Sequence, residues 1–319
     1  MQKSIKINEK LKNQLTILAV SAIGVYFIGT LFQPQDVEAL AELGLTPTSA
    51  RLISIFMIAL PISLAWAILA KAVYNVQGYA NFLKTGTEAK AFTFIASGLM
   101  VLLSTDIIGA LLNQISTYSP EQKELVNTII VANAMIDVVA ALGLFILMYY
   151  GVSQLTHLIK IDRKRLFRNH LIISAVTALA PVVFIGNSIF TNSERALAAG
   201  TEGAPITNFF SDWQVVAFIL LPYLIAWTAG NMAILSMLTY RSKVKGIIYK
   251  NSVKRFAQGL TMLVILQIGL QILGQASDLF DDNTLALLLG VIAIIIIMIV
   301  VAYALIASGA SKLRRLEEV

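Results

Sequence analysis

Leu60-Pro61-Ile62-Ser63-Leu64-Ala65-Trp66 and Leu221-Pro222-Tyr223-Leu224-Ile225-Ala226-Trp227 stand 161 positions apart and share their leucine, proline, alanine and tryptophan. The register continues without a gap through Tyr79 and Tyr240, Lys84 and Lys245, Gly98-Leu99 and Gly259-Leu260, to Gln114-x-Ser116 and Gln275-x-Ser277. Residues 60–116 match 221–277 at 15 of 57 positions, where an apolar composition of this kind yields roughly 5 by chance. The chain therefore reads as a duplication.

The match extends outward in both directions. Gly151-x-Ser153-x-Leu155-x-x-Leu158 returns as Gly309-x-Ser311-x-Leu313-x-x-Leu316 at an offset of 158, which places a short deletion in one loop of the second half. Ala19-Val20 and Phe27-Ile28-Gly29 return as Ala175-Val176 and Phe184-Ile185-Gly186. The expected units are residues 1–158 and 159–319, joined by a short basic loop.

Composition sets the solvent. Hydrophobic residues make up 57% of the 319 positions and charged residues 13%, and the mean hydropathy is +0.78. A water-soluble domain with these values would expose large apolar patches, so the expectation is an integral membrane protein. Runs long enough to cross a hydrocarbon core fall at 15–32, 52–76, 92–115, 125–150, 170–190, 213–239, 256–276 and 284–308. They are continuous rather than alternating, which selects helices over a membrane barrel. The fold class expected is all-α, with eight transmembrane helices in two parallel, tandem four-helix repeats. A kink is expected at Pro61 and Pro222.

Charge orients the chain. Of 24 Lys and Arg, 20 fall in the N-terminal segment, the loops near 77–91, 151–169 and 240–255, and the C-terminal tail, while Arg51, Lys123 and Arg195 fall on the other side. The positive-inside rule then places both termini in the cytoplasm, in a multi-pass protein of a cell (inner or plasma) membrane. An even number of spans per unit makes the repeats parallel rather than inverted. Leu31-Phe32-Gln33-Pro34 lacks a small-x-small cleavage site, so the first span is expected to be retained. The net charge of +6 is accounted for by topology and anionic lipid, and nucleic acid is not an expected partner.

The chemistry is sparse. No cysteine is present, and the two histidines, His157 and His170, lie at the basic loop, so thiol chemistry, a metal site and haem ligation inside the bundle are not expected. No hydrolase, metalloprotease or phosphate-binding motif occurs. The chain is expected to be no enzyme and to hold no cofactor.

Ionisable groups within a span default to a functional reading, and three occur: Lys71, Asp106 and Asp137. Asp106 and Asp137 each lie about 10 residues from the outer end of their spans, at similar depth. Asn133 stands one turn outward of Asp137 and Asn113 two turns outward of Asp106, so both stripes run from the membrane middle outward. These four residues are the expected proton or ion site, a hydrated cleft ending in two carboxylates that cannot both ionise cheaply. The competing structural account has Thr105 and Asn133 satisfy the acids and tie helices together. Lys71 lies roughly 28 Å from the outer surface. It reads as a snorkelling side chain, or else as a gate or counter-charge. In the second unit Asp106 aligns with Gln267 and Asp137 with the isoleucine run 294–297, and Gln267, Gln271 and Gln275 form a neutral stripe suited to helix association.

The function expected is a transporter or channel for a proton or small cation. The alternative is a membrane sensor or assembly scaffold acting through its basic cytoplasmic loops and charged C-terminal helix. The partners expected are membrane lipids, the transported proton or cation, and a cytoplasmic protein or a second copy of the chain.

Overall fold

The computed structural model describes the backbone of residues 2–32, 46–118, 122–159, 163–198, 209–244, 246–276 and 285–314. It describes side chains over most of these, residues 2–8, 192–198, 267–292, 314 and isolated positions excepted. The described chain is helical and carries no strand. The helices are α1 (Gln2–Phe32), α2 (Pro47–Leu83), α3 (Thr87–Tyr118), α4 (Lys123–Thr156), α5 (Arg163–Ala198), α6 (Asp212–Lys243), α7 (Ile247–Ala276) and α8 (Leu285–Arg314).

Seven of them, all but α7, are long and apolar enough to cross a membrane over the described residues. The sequence assigns a span to 256–276 as well. Its helix opens with Lys250, Lys254 and Arg255, and its side chains from 267 onward lie outside the described residues.

Pro61 and Pro222 explain a feature common to α2 and α6. Proline lacks the N–H for an i→i−4 bond and its ring clashes with the carbonyl four residues back. The turn before each proline opens to a wider π-helical spacing, over Ser54–Ala59 and Val216–Leu220. Leu60 N–H thus reaches Ile55 O, and Leu221 N–H reaches Val216 O. The expected kink is accommodated as a π-turn, a form that concentrates at functional positions. Pro181, by contrast, sits inside a continuous α5.

The packing is a closed ring. α2 packs on α3, α3 on α4, α4 on α6, α6 on α7, α7 on α8, and α8 returns to α2. α1 lies outside this ring against α2 and α3, and α5 lies outside it against α6. Trp66, Trp227, Phe145, Leu99, Leu260 and Ile306 are fully buried within the bundle. The outer surface is apolar instead of charged: Ile17, Val20, Phe56, Val176 and Val183 are each more than 60% exposed. Such a surface is stable only against lipid.

Glycine lets the helices of the ring touch. A Cβ on Gly98 of α3 would meet the Leu144 carbonyl of α4 at 3.1 Å, and one on Gly151 of α4 would meet the Ala91 carbonyl at 2.7 Å. The α7–α8 seam has the same construction, with Gly259 against the Ala302 carbonyl at 2.8 Å and Gly309 against the Ser252 carbonyl at 3.0 Å.

Candidate binding cavity

The side chains of α1, α2, α3, α4, α6, α7 and α8 enclose a cavity of ≈ 620 Å³. The π-turn of α2 brings Ser54 and Ile58 to its wall, and the helix that follows adds Ile62, Ala65 and Trp66. From α3 come Leu102, Thr105, Asp106, Gly109, Ala110, Asn113 and Gln114, a stripe with helical spacing. From α4 come Asn133, Asp137, Ala140 and Leu144, again one face. The second half adds Tyr223, Trp227, Leu263, Leu266, Ile299 and Tyr303.

Asp106, Asp137, Asn113 and Asn133 all line this cavity. The two asparagines are bonded to each other, Asn133 Nδ2 donating to Asn113 Oδ1 at 2.5 Å. Asn133 Oδ1 is buried and accepts no hydrogen bond among the described residues. The carboxylates differ in their partners. Asp106 Oδ2 accepts from the Tyr303 hydroxyl of α8, a bond that crosses from one half of the molecule to the other. Asp137 is exposed within the cavity and makes no hydrogen bond or ion pair among the described residues, while lying within electrostatic range of both Asp106 and Tyr223.

Thr105 takes no part in satisfying the acids. Its hydroxyl donates to the Val101 and Leu102 carbonyls of its own helix, the usual local bond of a threonine in an apolar helix. Lys71 is exposed and does not line the cavity. The side chains of Gln267, Gln271 and Gln275 lie outside the described residues.

Three participants are not among the site residues expected from the sequence. Tyr303 is one; it is a lone hydroxyl in the apolar run 293–307, and that isolation was the available signal. The second is Gln114, whose Nε2 donates to the Tyr26 carbonyl at 2.7 Å and to Thr30 Oγ1 at 3.3 Å, fastening α3 to α1 beside the cavity. The third is an aromatic wall in which Tyr26 packs on Trp66 at 5.3 Å and Tyr223 on Trp227 at 5.4 Å between ring centroids.

A second aromatic cluster joins α2, α3, α6 and α7. Tyr249 OH donates to Glu88 Oε1 at 2.7 Å. Phe92 stands edge-on to Tyr79 at 4.9 Å, and Tyr240 packs on Tyr249 at 6.0 Å. Burial, then the neighbouring Tyr240 and Glu88, push the Tyr249 hydroxyl up from its ordinary range, so it remains a donor. This cluster lies at the end where the basic loops emerge.

Among the described residues no three His, Cys, Asp or Glu side chains come together as metal ligands. Comparison of the chain with family models, with curated proteins and with solved structures finds no match in any of the three.

Proposed function

We propose that this chain is a non-enzymatic, multi-pass transporter or channel of a cell membrane, moving a proton or small cation by way of Asp106 and Asp137. One observation carries the reading: two carboxylates from neighbouring helices line a single cavity in the interior of an otherwise apolar bundle. Acids at that depth are costly unless paired or hydrated, and they mark ion pathways in membrane proteins. Asp106 is held in position by Tyr303, and Asp137 is free to take and release a charge. The aromatic cluster around Glu88 and Tyr249 is proposed as the plug between the cavity and the basic, cytoplasmic end.

The architecture proposed is eight spans in two tandem units, residues 1–158 and 159–319, with both termini in the cytoplasm. Repeated contacts support it. Gly98 with Leu144 corresponds to Gly259 with Ala302, and Gly151 with Ala91 to Gly309 with Ser252, at the same offsets of 161 and 158 that align the sequence. α8 packs on α2 as α4 packs on α6. Glu88 and Tyr249, bonded to each other, are themselves 161 positions apart.

The test is flux into proteoliposomes of purified protein, read with a pH-sensitive dye and with Na⁺ and K⁺ indicators. Asn keeps the size of Asp but not its charge, so the Asp106→Asn, Asp137→Asn pair should lower flux by about tenfold or more. An unaltered flux in that pair would refute the reading and move the function to the sensor or scaffold class.

A further inference from the structure

We infer that the cavity is a binding site for an organic cation, a fixed or protonated positive centre carried on an apolar body. The inference rests on the transport reading above and specifies its cargo. Size is the first argument. A dehydrated Na⁺ or K⁺ would occupy a small part of ≈ 620 Å³, whereas cavities of about 300–1,000 Å³ suit small molecules. Charge is the second. Among the described residues the lining holds two carboxylates and no lysine or arginine, so an anion is repelled and a neutral occupant would leave a carboxylate unpaired. Among the described residues no third acid or histidine joins the two carboxylates to build a calcium-like cage.

The wall supplies the third argument. The half-buried apolar lining of Ile58, Ile62, Ala110 and Ile299 is backed by two buried ring pairs, Tyr26 on Trp66 and Tyr223 on Trp227. A firmly backed apolar wall next to a carboxylate accepts the apolar body and the positive centre of one ligand together. Asp137, the carboxylate that no described residue pairs, is the counter-ion. Asp106, bonded by Tyr303, shapes the field behind it.

Equilibrium dialysis of the full chain in detergent micelles tests the site, with methyltriphenylphosphonium as the cation and triphenylphosphine oxide as a neutral compound of similar shape. Saturable binding of the phosphonium alone is expected. Asp137→Asn should weaken it by roughly tenfold, and Asp137→Glu should restore it to within a few-fold. Equal binding of the neutral compound, no saturable binding of the cation, or cation binding indifferent to Asp137→Asn would each overturn the inference. The neutral comparison uses the unaltered chain, so it does not depend on any variant folding. If the cation binds through Asp137 but proteoliposomes show no flux, the transport reading fails and the site stands. If proton flux depends on the aspartates while no organic cation binds, the reverse holds.

Discussion

Gly98 and Gly151 in the first half, and Gly259 and Gly309 in the second, bring α3 onto α4 and α7 onto α8 by the same close approach to backbone carbonyls. The polar groups of the two halves share no such correspondence. At the same offsets Asp106 aligns with Gln267, Asn113 with Gly274, Asn133 with Val291 and Asp137 with Ile295. What recurs is the seam that lets backbones touch, and what differs is the chemistry set into the wall. In a bilayer, helix association depends on close packing of small residues, so the seams are needed in both halves. A buried carboxylate carries a penalty that a small seam residue does not. The comparison separates scaffold from site within one chain.

The largest effect should come from exchanging the chemistry without touching the seam. Asp137→Asn is expected to lower flux by about tenfold or more, while Gln267→Leu leaves it within about twofold, since a neutral amide carries no charge through the cavity. Flux in proteoliposomes checks both. Equal losses in the two variants would show that the halves contribute alike and would break the comparison.

The seams come next. Gly151→Val and Gly309→Val each drive a side chain into a backbone carbonyl of the facing helix, which overpacks the contact by about 1–3 kcal/mol. Thermal unfolding in detergent should show similar losses for the two. Gly24→Val, at a position with open space around it, should leave the transition unmoved. Unequal losses at Gly151 and Gly309 would mean that only one seam holds the ring.

The sequence made the helices legible because continuous apolar runs have one solution in lipid, and it brought Asp106, Asp137, Asn113 and Asn133 together because depth along adjacent spans is arithmetic. It could not supply the bond from Tyr303 to Asp106. Those residues are 197 positions apart, and the contact depends on α8 closing the ring against α2, which no periodicity encodes. Pro61 and Pro222 announced a disturbance, but whether the helix bends or widens to a π-turn is decided by what packs around it. Lys71 looked equivocal for a related reason: depth was readable, whereas the direction of the side chain required the bundle.

Tyr303 gives a smaller, sharper test of how the halves cooperate. Tyr303→Phe keeps the ring and removes one hydrogen bond to a carboxylate, a loss of about 1.5–3 kcal/mol at most. Flux should fall several-fold rather than vanish, because Asp137 is untouched. A loss as complete as that of Asp137→Asn would mean that the second half supplies essential chemistry and would erase the division drawn above.

The smallest expected effect lies at the plug, where the two halves meet through positions of the same register. Tyr249 donates to Glu88 at 2.7 Å, and Tyr249→Phe removes that bond while keeping the ring contacts with Phe92 and Tyr240. The chain has no cysteine, so a single Ala110→Cys in the cavity wall, at a half-buried position, reports access directly. A membrane-impermeant thiol reagent supplied from the basic side should label that cysteine slowly in the otherwise native protein. With Tyr249→Phe the rate should rise by roughly twofold to fivefold, as expected for the loss of one partly buried hydrogen bond. Labelling from the opposite side should not change, since nothing there is altered. An unchanged rate from the basic side would reduce the Glu88–Tyr249 pair to a packing contact. An equal rise from both sides would mean that the substitution loosens the whole ring.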